Sequence, residues 1–66
     1  MFYETLKQVC AEKNTSPSAV CDALGMSRSN ITNWKEGRSP KLDTAIQISE
    51  YLGVSLLKLV PKKDNS

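Results

Sequence analysis

Residues 16–37 carry start and stop signals for two short helices joined by only three residues. Ser16 and the proline after it favour a helix start, because the serine oxygen can accept a free backbone N–H and a proline at the first helical position loses no hydrogen bond. Gly25 suits the left-handed residue that ends this helix. Ser27 then caps a second helix, which Gly37 ends. So short a connection keeps the two helices next to each other in space.

Similar signals predict three further helices. The sequence contains no alternating apolar run and no tight hairpin turn, so no strand is predicted. The first helix of the chain carries Phe2, Leu6, Val9 and Cys10 on one face, and Asn14 suits a left-handed residue at its end. The expected fold class is therefore all-α, with five helices that pack as a compact bundle.

A fourth helix is predicted from about Leu42 to Leu52, and a fifth, with the sequence LLKLV, is capped by Ser55 and stopped by the proline that follows. The residues of the fourth helix expected to face inward are Leu42, Ala45, Ile48, Ser49 and Leu52, with Ile46 beside them. The last residues have nothing to bury. The domain is thus predicted to cover residues 1–61, followed by a disordered tail at residues 62–66.

Length and composition limit what such a chain can do. At 66 residues it is expected to form one domain, and a domain of this size buries only about 60% of the surface that its unfolded chain exposes. A large enclosed active site is therefore not expected. Apolar residues make up 39% of the chain and charged residues 24%, which favours a soluble globule over a disordered or membrane-spanning segment. The first residues lack the pattern of a signal peptide, so a cytoplasmic location is expected.

The two cysteines, Cys10 and Cys21, are expected to be reduced and buried. The sequence contains no histidine, so a zinc site would lack further ligands and a nucleophilic cysteine would lack its usual base. The sequence has no phosphate-binding loop and no paired carboxylates that point to catalysis. The chain is therefore predicted not to be an enzyme and to need no metal, cofactor or small-molecule ligand.

The second helix of the closely spaced pair, predicted over residues 28–36, is built from indifferent helix formers. At 100° per residue, Ile31 and Trp34 form its apolar side. Its outward residues are Ser29, Thr32, Asn33 and Glu36, with Arg28 and Asn30 at the flanks. A helix selected for stability alone would favour Glu, Lys, Gln and Ala at such positions, so the outer face is expected to serve binding.

The charge and side-chain chemistry around this helix suit duplex DNA. Residues 28 to 41 contain one acid, Glu36, and four cations, Arg28, Lys35, Arg38 and Lys41. A basic stretch of this kind attracts phosphate. In the major groove, arginine can pair with guanine, asparagine with adenine, and serine or threonine with several base edges. The second helix of a helix-turn-helix enters that groove by its N-terminal end, where these residues lie.

The stretch SPSAVCDALGMSRSNITNWKEGRSPKLDTAIQISEYLGVSLLKLV resembles the helix-turn-helix family of phage repressors and Cro proteins, often called the XRE family. It contains A-x-x-x-x-L-G-x-S-x-S-x-I-x-x-W-x-x-G without a gap, followed by a proline and by L-G-V-S. The resemblance implies a five-helix bundle of the lambda-repressor type, in which the second and third helices form the helix-turn-helix. It also implies a transcriptional regulator, here expected to be a repressor, that binds a palindromic double-stranded operator as a homodimer.

The resemblance also implies roles for particular residues. The base-contacting residues are Arg28, Ser29, Asn30, Thr32 and Asn33. The phosphate-contacting residues are Ser16, Ser27, Arg38, Ser39 and Lys41. The chain departs from the family pattern at two places. Pro17 stands where many members have a glutamine that binds phosphate. Cys10 and Lys35 replace an arginine and glutamate pair, which predicts an apolar contact for Cys10 and a Lys35 that reaches solvent or phosphate.

A dimer surface is predicted on the last helix, which is more apolar than one face of so short a helix can bury. The surface is predicted to consist of Leu56 and Leu57, together with Tyr51 of the fourth helix. The alternative is that this helix only packs against the first one. For function, one alternative is a helical protein-interaction module, which explains the apolar last helix but not the polar third helix. The other is an antitoxin-like autoregulator, which the sequence does not distinguish from a repressor.

Overall fold

The computed structural model describes residues 2–60, which form five α-helices joined by short loops. The helices are α1 (Phe2–Glu12), α2 (Pro17–Leu24), α3 (Ser29–Lys35), α4 (Leu42–Leu52) and α5 (Leu56–Leu59). The all-α fold of five helices is thus confirmed. Helix α1 packs against α2, α3 and α5, while α4 packs against α2 and α5. Within the described part of the chain, no helix is both long and apolar enough to cross a membrane.

A single core cluster draws residues from all five helices. Helix α1 supplies Phe2, Leu6, Val9 and Cys10, the four residues predicted from their spacing, and each is at most 8% exposed. The other members are Val20, Cys21, Ile31, Trp34, Ile48, Leu52 and Leu59. Both cysteines are free thiols with no exposed surface. Burial raises the pKa of each thiol, so both stay protonated near neutral pH and act as packing residues.

Helices α1 to α4 are each followed by a residue with a positive φ. After α1 this residue is Asn14, with φ of 59°, and the next N–H donates to the Cys10 carbonyl at 2.8 Å. After α2 it is Gly25, with φ of 71°, and the next N–H donates to the Cys21 carbonyl at 2.8 Å. This hydrogen bond closes the last turn and reverses the chain direction within a few residues. It allows α3 to follow α2 closely, as predicted from the sequence.

The predicted inward position of Leu42 is wrong, because this side chain is 65% exposed. The other inward positions of α4 are confirmed, with Ala45, Ile48, Ser49 and Leu52 all buried. Leu42 is the first residue of the helix, and the Cα–Cβ bonds of a helix tilt toward its N-terminus. Its side chain therefore projects past the end of α4 instead of lying over a buried turn.

Helix α3 is shorter than the predicted range of residues 28–36 and begins after a four-residue connection. Its first turn is closed by tight hydrogen bonds between residues three apart, from Asn30 N–H to the Ser27 carbonyl at 3.2 Å and from Ile31 N–H to the Arg28 carbonyl at 3.0 Å. At the other end, Glu36 has ψ of 0° and leaves the helical conformation. The conformation of these two terminal turns explains why α3 is shorter than predicted.

Lys35 is exposed to solvent, and its ammonium group also lies near an aromatic ring of α1. Its Nζ atom lies 5.7 Å from the centre of the Tyr3 ring, and the Nζ atom of Lys7 lies at the same distance from that ring. Ammonium groups in this position are attracted to the ring face. Lys35 is exposed, so the expectation that it reaches solvent is confirmed, and the apolar contact expected for Cys10 is confirmed by its place in the core cluster.

Three predictions concern the end of the chain. They are the helix stop at Pro61, the domain boundary at residue 61 and the tail at residues 62–66. All three lie outside the described residues and stay predictions.

Candidate nucleic-acid interface

The start of α3 is held by side chains of the preceding turn. The Ser27 hydroxyl oxygen accepts the Ser29 backbone N–H at 3.2 Å and lies 2.9 Å from the Ser29 hydroxyl. The Asn30 side-chain amide donates to the Ser27 carbonyl at 3.1 Å. Ser27 therefore satisfies one N–H group that the first turn leaves free, but the residue at the cap position of α3 is Arg28, so the predicted cap lies one residue too early. Ser29 and Asn30 have structural roles here besides any role in binding.

Arg28 forms a two-point ion pair with Asp22, which lies near the end of α2. The Arg28 Nη2 atom donates to Asp22 Oδ2 at 2.6 Å, and Nε donates to Oδ1 at 3.3 Å. Both side chains are more than half exposed. Hydrogen bonding to Arg28 lowers the pKa of the Asp22 carboxyl, so this acid is charged at any neutral pH. This pair was not predicted from the sequence, because Asp22 lies in α2 and Arg28 lies in the turn that follows it.

A cleft of ≈ 330 Å³ lies between one side of α3, the loop that follows it and the start of α4. It is lined by Asn30, Asn33, Trp34, Arg38, Ser39, Pro40, Lys41 and Thr44. Two predicted base-contacting residues and three predicted phosphate-contacting residues thus share one concave surface. Arg38, Ser39 and Lys41 are all exposed, so their polar groups are available to a ligand. Thr44, which was not predicted as a site residue, adds a hydroxyl group to this surface.

The two sides of α3 differ as the sequence predicts. Ile31 is 9% exposed and Trp34 is 3% exposed, so both side chains hold the helix to the core. Thr32 is exposed on the other side, and Asn33 is half-buried at the edge of the cleft. The polar residues therefore occupy the accessible side of a helix that is fixed to the bundle by two anchors.

Ser16 lies apart from the cleft, at the start of α2. Its hydroxyl oxygen accepts the Ala19 backbone N–H at 3.2 Å. Because a hydroxyl group both donates and accepts, its hydrogen remains available to a phosphate oxygen. Pro17 follows directly and has neither an N–H group nor a long polar side chain, so Ser16 carries the polar chemistry of this helix start.

The order of the elements is decisive for classification: two short helices, α2 and α3, joined by a tight glycine turn and followed by α4 and α5. A sequence model of the family described as helix-turn-helix matches residues 6–59, which is most of the chain and covers α2 to α5 and all but the first four residues of α1. The chain belongs to the helix-turn-helix family. It is of the XRE type. Comparisons with curated proteins and with solved structures found no match.

Membership of the helix-turn-helix family makes this chain a DNA-binding transcription regulator of the XRE type. The family is generally non-enzymatic. In the helix-turn-helix of this chain, α2 is the first helix, residues 25–28 are the turn and α3 is the second helix. The Asp22–Arg28 pair therefore lies at the start of the helix that, in this motif, enters the major groove, and the cleft runs along one side of the same helix.

Proposed function

We propose that this regulator is a repressor that binds a palindromic operator as a homodimer and reads its bases with α3. The observation that carries the proposal is the accessible polar side of α3, which continues into a cleft lined by Arg38 and Lys41. Base-reading groups and phosphate-binding groups lie side by side there, as a groove-binding surface requires. Repression needs only that the bound dimer blocks access to the operator, and we place this activity in the cytoplasm.

The residues we assign to base contacts are Arg28, Ser29, Asn30, Thr32 and Asn33. Thr32 and Asn33 are the best supported of them, because no described side-chain hydrogen bond within the protein engages either one. Arg28, Ser29 and Asn30 each have a partner in the turn or in α2. Their contacts with bases must use the hydrogen-bonding groups that those partners leave free.

Alanine substitutions at Arg28 and Asn33 test the assignment of base contacts. Each is expected to keep the fold and to lose about 1 to 3 kcal/mol of preference at one base position, because a bidentate side-chain contact discriminates by that amount. Selection of bound sites from a random duplex library, carried out with each variant, measures the change. Gln8→Ala, on the exposed surface of α1, is the control. A consensus identical to that of the wild type would show that these residues do not read bases.

The residues we assign to phosphate contacts are Ser16, Ser27, Arg38, Ser39 and Lys41. Arg38→Ala and Lys41→Ala are expected to weaken binding to all duplexes alike, since phosphate contacts carry no sequence information. Each variant is expected to reduce the slope of log affinity against log salt concentration by about 0.9, the contribution of one phosphate. Fluorescence anisotropy over a series of salt concentrations checks this. Lys7→Ala removes the same charge outside the cleft and should leave the slope unchanged.

The proposal of a homodimer is supported by apolar side chains that the bundle leaves exposed. Tyr51 is 49% exposed, Leu57 64% and Val60 41%, whereas Leu56 is half-buried. Tyr51 and Leu57 thus present more apolar surface to a second copy than Leu56 does. A single DNA-binding module buries only about 600 to 1,000 Å² on DNA, so two copies on a palindrome give a specific complex more readily than one.

A second candidate function is protein interaction through this same apolar surface, without DNA. The exposed Leu57 and Tyr51 favour it, because solvent-facing apolar groups of this size often mark an interface. Titration of a random-sequence duplex at several salt concentrations separates the two functions. A DNA-binding regulator binds it in a salt-dependent manner, and a module that binds only proteins does not.

A further inference from the structure

The carboxylate of Asp22 engages one particular edge of the Arg28 guanidinium. The two donors used are Nε and Nη2, which form the side edge of the group. A guanidinium carries five N–H bonds, so three remain: both on Nη1 and one on Nη2. The N–H bonds that point forward from Nη1 and Nη2 form a second, complete fork. A fork of this kind pairs with the O6 and N7 atoms of guanine in the major groove.

We infer that Asp22 determines specificity by holding the side edge of Arg28, so that the free end fork is presented to guanine in a fixed orientation. The inference rests on the proposed function, because it requires α3 to face DNA bases. Asp22 is then a positioning residue and makes no contact with the base itself. Arg28 lies just before the first residue of α3, where the motif approaches the groove.

Fixing Arg28 before binding has two physical consequences. A free arginine has many rotamers, and ordering such a side chain at an interface costs about 0.5 to 1.5 kcal/mol. Because Asp22 already orders Arg28 in the unbound protein, less of this free energy is lost when DNA binds. A fork held in one orientation also cannot turn to follow a different base or a nearby phosphate, so the penalty for replacing guanine rises.

The charge of Asp22 acts in the opposite direction on overall affinity. Its carboxylate is more than half exposed and repels the phosphates of any duplex. Removing this charge therefore raises affinity for DNA of every sequence. Removing the two hydrogen bonds that hold Arg28 lowers discrimination at one base. Because these effects have opposite signs and different sequence dependence, measurements on matched duplexes separate them.

The test compares the wild type with Asp22→Ala and Asp22→Asn. Each is titrated by fluorescence anisotropy with the selected operator and with an operator in which adenine replaces the guanine assigned to Arg28. We expect discrimination between the two duplexes to fall roughly 2- to 10-fold in Asp22→Ala, the range that corresponds to one ordered side chain. Circular dichroism confirms that each variant is folded, and the isosteric asparagine variant serves if the alanine variant is not.

Two controls distinguish the positioning of Arg28 by Asp22 from a simple effect of the Asp22 charge. Glu36→Ala removes an exposed acid at the end of α3, and it should raise affinity for both duplexes without changing their ratio. Asp22→Ala combined with Arg28→Ala should discriminate no less than Arg28→Ala alone, because Asp22 then has nothing to hold.

Three results would overturn the inference. The first is unchanged discrimination in folded Asp22 variants, and the second is a loss that persists without Arg28. The third is an operator in which no base preference depends on Arg28. In each case the wild type still binds its operator, so the proposed function stands, and the third result withdraws only the base contact assigned to Arg28. A wild type that binds no duplex DNA would refute the proposed function and this inference with it.

Discussion

Replacing Trp34 with alanine is expected to lower the free energy of unfolding by about 3 to 5 kcal/mol, the usual range for truncation of a buried tryptophan. The side chain is 3% exposed, and its ring meets the Phe2 ring edge to face, with ring centres 5.1 Å apart and ring planes at 77°. Helix α3 makes its main packing contact with α1, and this ring pair lies in that contact. The variant removes the larger of the two buried anchors of α3.

The loss is large relative to the total stability of the protein. Natural domains have about 0.05 to 0.15 kcal/mol of stability per residue, which gives about 3 to 10 kcal/mol for a chain of this length. Trp34→Ala should therefore be partly unfolded at room temperature. Any loss of DNA binding in this variant reports on folding and not on base contact, so it cannot assign Trp34 to the DNA surface.

Urea titration followed by circular dichroism at 222 nm measures the effect without depending on tryptophan fluorescence. Thr32→Ala changes an exposed residue of the same helix, and it should alter stability by no more than about 0.5 kcal/mol. Trp34→Phe keeps an aromatic ring against Phe2 and should retain more stability than the alanine variant. A loss below 1 kcal/mol in Trp34→Ala would contradict the role of this residue as the anchor of α3.

The sequence predicted the helices and most of the core because those features depend on local chemistry. Spacings of three and four residues place Leu6 and Cys10 on one buried face, and the hydroxyl of Ser55 caps α5 by accepting the Leu57 N–H at 3.2 Å. Helical periodicity did not predict the exposure of Leu42 correctly. The pattern gives it the same phase as Ala45, but a first-turn side chain has no preceding turn to cover.

The contacts around the proposed DNA surface were harder to predict, because they join residues that do not share a helix. Pairing rules for charged residues apply at three and four positions within one helix. Asp22 and Arg28 are six residues apart across a turn, so their contact depends on the crossing angle of α2 and α3. The same applies to Lys35 and Tyr3, which meet only because α3 packs on α1. The sequence identified the types of residue at the site but not their partners.

Replacing Leu57 with glutamine is expected to weaken the proposed homodimer roughly 10²- to 10⁴-fold. In a two-fold dimer each copy contributes its own Leu57, and each buried leucine is worth about 1.5 to 3 kcal/mol, so the two together account for this range. The monomer should fold normally, because Leu57 is 64% exposed. The buried residue of α5 is Leu59, two positions further along the chain. Sedimentation equilibrium measures the dissociation constant of the dimer.

The DNA affinity of the Leu57 variant tests whether dimerisation and operator binding are coupled. Binding to a full palindrome should weaken by about 10²- to 10⁴-fold as the second half-site loses its tethered partner, whereas binding to a single half-site should not change. Leu42→Gln is the matched control, because Leu42 is 65% exposed and lies outside the proposed dimer surface. A Leu57 variant that dimerises like the wild type, or a wild type that stays monomeric on a palindrome, would remove α5 as the dimer surface. Only a coupled loss, confined to Leu57 and to the full palindrome, is explained by two copies that meet through α5 and bind the two half-sites together.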